Sequence, residues 1–125
     1  MSDWVNKPTD ENFTALHFAA YHGSLELIIK LVEENGANIY CRNIYGANVL
    51  HIAAQGDQPA PLYYFTQIKG MDINDADHRG STALHWACFA RSDFALSYVL
   101  SMKPDLEYQD KAGNTPLHLA IKSVP

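Results

Sequence analysis

The sequence predicts an all-α solenoid, a stack of helix–turn–helix units joined by polar turns. Three observations carry this. A six-residue stretch occurs four times in variant form, as Thr14-Ala15-Leu16-His17-Phe18-Ala19, Asn48-Val49-Leu50-His51-Ile52-Ala53, Thr82-Ala83-Leu84-His85-Trp86-Ala87 and Thr115-Pro116-Leu117-His118-Leu119-Ala120. Its histidines are spaced by 34, 34 and 33 residues. Two residues ahead of each copy stands a residue suited to positive φ, Asn12, Gly46, Gly80 or Gly113, with the same steps. Two signals sharing one period mark an internal repeat, whose units bury a core only by stacking on their neighbours.

Two helical repeat families share this period. The tetratricopeptide unit wants a Trp, a Leu-Gly pair and a Tyr at set offsets, and none of these recurs. A polar turn ending in Gly and followed by Thr-Pro-Leu-His-x-Ala is the ankyrin signature. The chain resembles the ankyrin repeat family over nearly all of residues 9–125, closely in the third and fourth copies and loosely in the second, where Asn48-Val49 replaces Thr-Pro. The resemblance implies an ankyrin-repeat solenoid of three full repeats (9–42, 43–76 and 77–109) and a truncated fourth (110–125), behind an N-terminal extension (1–8). It also implies β-hairpin-like fingers at 42–47, 76–81 and 109–114, standing across the helices to give an L-shaped molecule with a concave face.

The elements follow in order. Residues 1–8 either cover the apolar flank of the first repeat through Trp4 and Val5 or have no fixed place. Thr14 is a suitable N-cap for a helix over Ala15–His22, and Gly23 ends it in a left-handed conformation. A second helix over 24–34 carries an inward stripe of Leu27, Ile28, Leu31 and Val32, and Gly36 closes it. The second repeat opens with a helix over Val49–Gln55. The following Gly56-Asp57-Gln58-Pro59-Ala60-Pro61 predicts a longer or stiffer junction, since proline fits only the first turn of the next helix. That helix starts near Pro59 or Pro61 and runs to Lys69, with Leu62, Phe65 and Ile68 inward. The third repeat has helices over Ala83–Ala90 and 93–102, with Leu96, Val99 and Leu100 inward and Pro104 enforcing the stop. At Lys103, where Gly36 and Gly70 end the earlier helices, a left-handed residue would cost about 1 kcal/mol relative to glycine. The fourth repeat has one helix over 116–123. Leu117, Leu119 and Ile121 then lack a following partner, which reads either as a short natural cap or as a fragment of a longer protein, the reading preferred here.

Composition excludes several classes. The 125 residues fit one domain, and formal charge is −5 from 9 basic and 14 acidic residues. No two Lys or Arg residues are adjacent, so no nucleic-acid footprint is present. No apolar run approaches the roughly 20 residues of a membrane span, and Met1-Ser2-Asp3-Trp4-Val5 lacks the regions of a signal peptide. The two cysteines, Cys41 and Cys88, have no metal-ligand spacing. A cytoplasmic, reducing setting and a monomer are expected.

Six histidines in a small chain invite a metal reading. Four of them are the repeat-related His17, His51, His85 and His118, which the stack sets roughly 10 Å apart in a row. A zinc ion needs donors about 2 Å from one centre, so the row does not converge, and no metal or cofactor is expected. The resemblance implies that each binds the Thr side chain and the backbone of the neighbouring turn; His22 and His78 are expected to be solvated. Cys88 stands where the other copies have the second Ala of a pair and reads as small, buried and inert, although His85 lies three residues away. Cys41 sits in a finger, where it is expected to be exposed. No catalytic residue is predicted, and no Gly-rich phosphate loop, His-Glu-x-x-His or Gly-x-Ser-x-Gly occurs.

The resemblance implies that the fingers and the outward ends of the first helices share the concave face, which gives the binding candidates Tyr21, Tyr45, Gln55, Arg79, Ser81, Trp86, Phe89 and Asn114, with Lys122 beside them. Tyr, Trp and Arg are the types that carry interface energy. Trp86 has two readings, packed core between repeats or an aromatic platform for an extended peptide, with Gln55 bonding the peptide backbone. Further stretches, 53–59, 79–88, 95–101 and 115–124, resemble the ankyrin segment of DHHC-type protein S-acyltransferases. That resemblance implies a non-catalytic segment on the cytosolic face of an endomembrane, which recruits protein or peptide substrates in its concave groove for a membrane palmitoyltransferase. The other reading is a scaffold in a regulatory assembly, or a spring in a channel, without peptide specificity.

Overall fold

A computed structural model describes residues 4–124. Residues 1–3 of the N-terminal extension and Pro125 at the end of the fourth repeat lie outside the described residues. Among these residues the regular elements are helical and no strand occurs: a 3-10 turn Trp4–Asn6, then α1 (Ala15–His22), α2 (Leu25–Ile29), α3 (Val49–Gln55), α4 (Pro59–Tyr63), α5 (Ala83–Ala90), α6 (Asp93–Ser101) and α7 (Pro116–Lys122). Helices α2 and α4 each run on into a π-helical turn, Lys30–Glu34 and Tyr64–Ile68. The odd-numbered helices pack in the order α1, α3, α5, α7, and α2, α4, α6 form a second layer behind them.

The first helix of each unit begins in the same way. The Nδ1 atoms of His17, His51, His85 and His118 accept the backbone N–H of Thr14, Asn48, Thr82 and Thr115 at 3.0, 3.0, 3.2 and 3.0 Å. That satisfies a donor the helix leaves open. With Nδ1 accepting, the proton is on Nε2, which faces a carbonyl of the next finger: Ala47 at 3.3 Å, Ser81 at 2.9 Å and Asn114 at 3.0 Å for the first three histidines. Each of these three histidines thus ties one unit to the next.

The finger turns use one Asx device. Asn43, Asp77 and Asp110 each accept two backbone N–H groups through Oδ1: Tyr45 and Ala47, Arg79 and Ser81, Ala112 and Asn114. Neighbouring fingers are joined by single backbone bonds, Ile44 N–H to Glu11, His78 N–H to Tyr45 and Lys111 N–H to Arg79, at 3.1, 3.0 and 2.8 Å. One bond per pair is too few for a strand, which is why the hairpin-like fingers stay turns. Gly46 is confined by this contact: at φ +78°, a Cβ there would lie 2.8 Å from the backbone nitrogen of His78.

The core lies between the helix layers, around Leu16, Ile28, Leu31, Leu50, Leu62, Phe65, Leu84 and Val99. Val5 is buried with it, so the start of the described chain covers the first unit's flank, while Trp4 stays largely exposed. The predicted stripes of the second helices need correction. Leu27, Ile68 and Leu100 are exposed, whereas Leu25, Tyr64 and Ala95 pack inward. Leu27 and Leu100 sit on the two outer helices of the second layer, where no further second helix covers them among the described residues. The junction after α3 is longer than the others by one residue, 56–58 against 23–24 and 91–92, because α3 ends one residue earlier in its unit. Asp57 is left-handed at φ 58°, in register with Gly23 (74°) and Arg91 (58°). Lys103 does take the left-handed conformation, at φ 53°.

Candidate protein-binding groove

Two cavities open on the face formed by the first helices and the fingers. The first, about 630 Å³, includes Trp4, Lys7, Phe13, Phe18, Tyr21 and Ile52 in its wall. The second, about 690 Å³, is lined by Tyr45, Arg79, Trp86, Phe89 and Lys111, among others. Gln55 lines both, so the two cavities adjoin at its side chain.

The repeat decides which side chains reach this face. Phe18, Ile52, Trp86 and Leu119 hold one position of the first helices, and Tyr21, Gln55, Phe89 and Lys122 the position three residues on. Phe18 and Phe89 are 62% and 58% exposed, and Ile52 between them is buried. Trp86 falls between its two predicted readings. It is half-buried against the core, with its ring 5.8 Å from that of His51. Its indole N–H donates to Asp77 Oδ2 at 2.9 Å. Asp77 is buried and therefore does two jobs, holding its finger turn with Oδ1 and the Trp86 ring with Oδ2.

Of the predicted binding residues, Tyr45, Gln55, Arg79, Ser81, Trp86, Phe89 and Asn114 come together around the second cavity, and Tyr21 lies apart in the first. Ser81 is buried: its N–H goes to Asp77 and its carbonyl accepts from His51. Asn114 receives His85 on its backbone carbonyl and Lys122 on Oδ1. Phe18, Lys111 and His78 line the groove without having been singled out. Phe18 was legible as the first-unit equivalent of Trp86. Lys111 and His78 were legible only as finger residues, because their exposure depends on how the fingers stack.

Burial pushes the Cys88 thiol up, away from the reactive thiolate, and both ring nitrogens of His85 are engaged. Cys41 corrects its predicted exposure. It is half-buried, 3.3 Å from Thr14 Oγ1 and 3.7 Å from His17 Nδ1. Burial raises this thiol and lowers His17, so both stay neutral. His51 is likewise lowered by burial, opposed in part by the charge of Asp77. Among the described residues no group of three His, Cys, Asp or Glu side chains could hold a metal ion, and no helix is long and apolar enough to cross a membrane.

The family described as ankyrin repeats matches this chain twice, over residues 50–124 and over residues 5–59. The chain belongs to the ankyrin repeat family. Ankyrin repeats are non-catalytic protein-binding modules, which fits a face with exposed aromatic rings. The chain is similar to palmitoyltransferase AKR1 of Lachancea kluyveri, 30% identical over 91% of this chain and 17% of that protein. It is also similar to a putative ankyrin repeat protein of Rickettsia bellii, at 32% identity over 82% of this chain and 56% of the relative. The target of rapamycin complex 2 subunit AVO2 of Saccharomyces cerevisiae is 25% identical over 94% of this chain and 28% of its own length. The chain thus spans less than two thirds of each of these relatives.

Proposed function

We propose that this ankyrin-repeat chain binds an extended segment of a partner protein along its concave groove, on the cytosolic side of a membrane, and that it recruits substrates for a protein S-acyltransferase. The observation that supports binding at this place is the second cavity. Exposed Tyr45 and Phe89, half-buried Trp86 and the cations Arg79 and Lys111 converge there. Rings pack apolar or proline side chains, and the Gln55 amide can both donate to and accept from a peptide backbone. The likeness to a palmitoyltransferase over most of this chain supports the link to S-acylation.

Selection from a random peptide display library with this chain as bait tests the binding reading. Enriched peptides should lose affinity about tenfold on Phe89→Ala or Tyr45→Ala, two exposed positions whose truncation should leave the fold intact. No enrichment, or enriched peptides indifferent to both changes, would remove the groove as the binding site. Joining this chain to the catalytic part of an S-acyltransferase and measuring palmitoylation of a protein carrying a selected peptide tests the recruiting role. An unchanged rate would leave a binding module without that role.

A further inference from the structure

Resting on the groove reading, we infer that the ligand is bipartite: an extended peptide with two apolar anchors six residues apart and an acidic residue flanking the second anchor. The two cavities carry the spacing. Phe18 and Tyr21 on α1 and Trp86 and Phe89 on α5 form two ring pairs at equivalent positions, two units apart. The unit between them puts buried Ile52 and the Gln55 amide where its neighbours put rings. The middle of the groove therefore takes backbone rather than a large side chain. Packed helices lie roughly 8–10 Å apart, so the ring pairs are roughly 16–20 Å apart. An extended chain rises about 3.3 Å per residue and sends alternate side chains to one face. Six residues is the even spacing that spans this distance.

The charge comes from the rim of the second cavity. Arg79 and Lys111 are exposed, and neither side chain has an ion pair among the described residues. Their fingers are held together by the Lys111 N–H bond to the Arg79 carbonyl. The carboxylates in the same wall are those of Asp77 and Asp110. Asp77 uses both oxygens internally, and Asp110 holds the fourth finger's turn through Oδ1. An acidic residue beside the second anchor would meet the two free cations.

The probe is a fluorescent series of otherwise Gly/Ser peptides with two phenylalanines at spacings of four, six or eight and one glutamate beside the second. Affinity should peak at six. Phe18→Ala and Phe89→Ala should each weaken that peptide about tenfold, whereas for spacing four only one of the two changes should matter. Changing the peptide's glutamate to glutamine should cost several-fold against the unchanged chain and nothing against Arg79→Ala/Lys111→Ala. Affinity flat across spacing, or Phe18→Ala without effect while Phe89→Ala weakens binding, would overturn the bipartite ligand and leave the groove reading standing. Equal binding of the glutamate and glutamine peptides would overturn the acidic flank. No binding of any peptide, together with library-selected ligands indifferent to Phe89→Ala and Tyr45→Ala, would overturn both readings.

Discussion

Asp77 and Trp86 give the sharpest test of how the groove is built. Asp77 accepts the N–H groups of Arg79 and Ser81 on Oδ1, both at 2.9 Å, and the indole N–H of Trp86 on Oδ2, also at 2.9 Å. Asn43, one repeat earlier, shows that an amide alone suffices for the turn: its Oδ1 takes Tyr45 and Ala47, and the residue equivalent to Trp86 is Ile52, which has no donor. Asp77→Asn should therefore keep the turn but set an amide N–H₂ against the indole N–H. A hydrogen bond to a charged group contributes about 1.5–3 kcal/mol, and the half-exposure of Trp86 puts the expected loss near the lower end, about 1.5 kcal/mol. In a Trp86→Phe background no donor remains, so the same change should cost about 0.5 kcal/mol or less. A double-mutant cycle should then give a coupling energy of about 1 kcal/mol. Urea unfolding of the four proteins at pH 8 measures it, with His51 neutral in folded and unfolded chains so that its attraction to Asp77 does not enter. A coupling indistinguishable from zero would mean that Asp77 does not hold the indole. The half-buried setting of Trp86 would then rest on packing alone.

Stability should fall as the pH is lowered from 7.5 to 5. Burial holds His17 and His51 below their ordinary value of 6.5, so the unfolded chain binds protons first and gains on the folded one below that value. Urea midpoints across the range check this, and a flat or rising profile on acidification would contradict it. Gly56→Ala should destabilise strongly, because its Cβ would lie 2.2 Å from the carbonyl oxygen of Tyr21; a thermal midpoint within a degree or so of the original would refute that close approach. Lys103→Gly should stabilise by up to about 1 kcal/mol by relieving a left-handed Lys at φ 53°, read as a higher urea midpoint.

The sequence alone determined the first helices and the family. Their bounds come from local chemistry, with Thr or Asn ahead of each helix and a histidine three residues into it to close the cap. The bounds of Ala15–His22, Val49–Gln55 and Ala83–Ala90 were legible without any contact from the rest of the chain, although the helices themselves pack on their neighbours. The positive φ of Asn12, Gly46, Gly80 and Gly113 was equally local, being set by turn chemistry. What faces where was decided by the stack. Leu27 and Leu100 look as apolar as Ile28 and Val99, but their burial depends on a neighbouring helix, which the outer positions of the second layer lack among the described residues. The π-helical turns ending α2 and α4 shift which residues close the second layer, and no local pattern marked them. At the groove, residue type named Trp86, Phe89 and Gln55. The Asp77–indole bond, the burial of Ser81 and the bridging place of Gln55 between two cavities come from contacts between units. Local capping acts within a turn of the chain, while exposure at this groove is set by residues a whole repeat away.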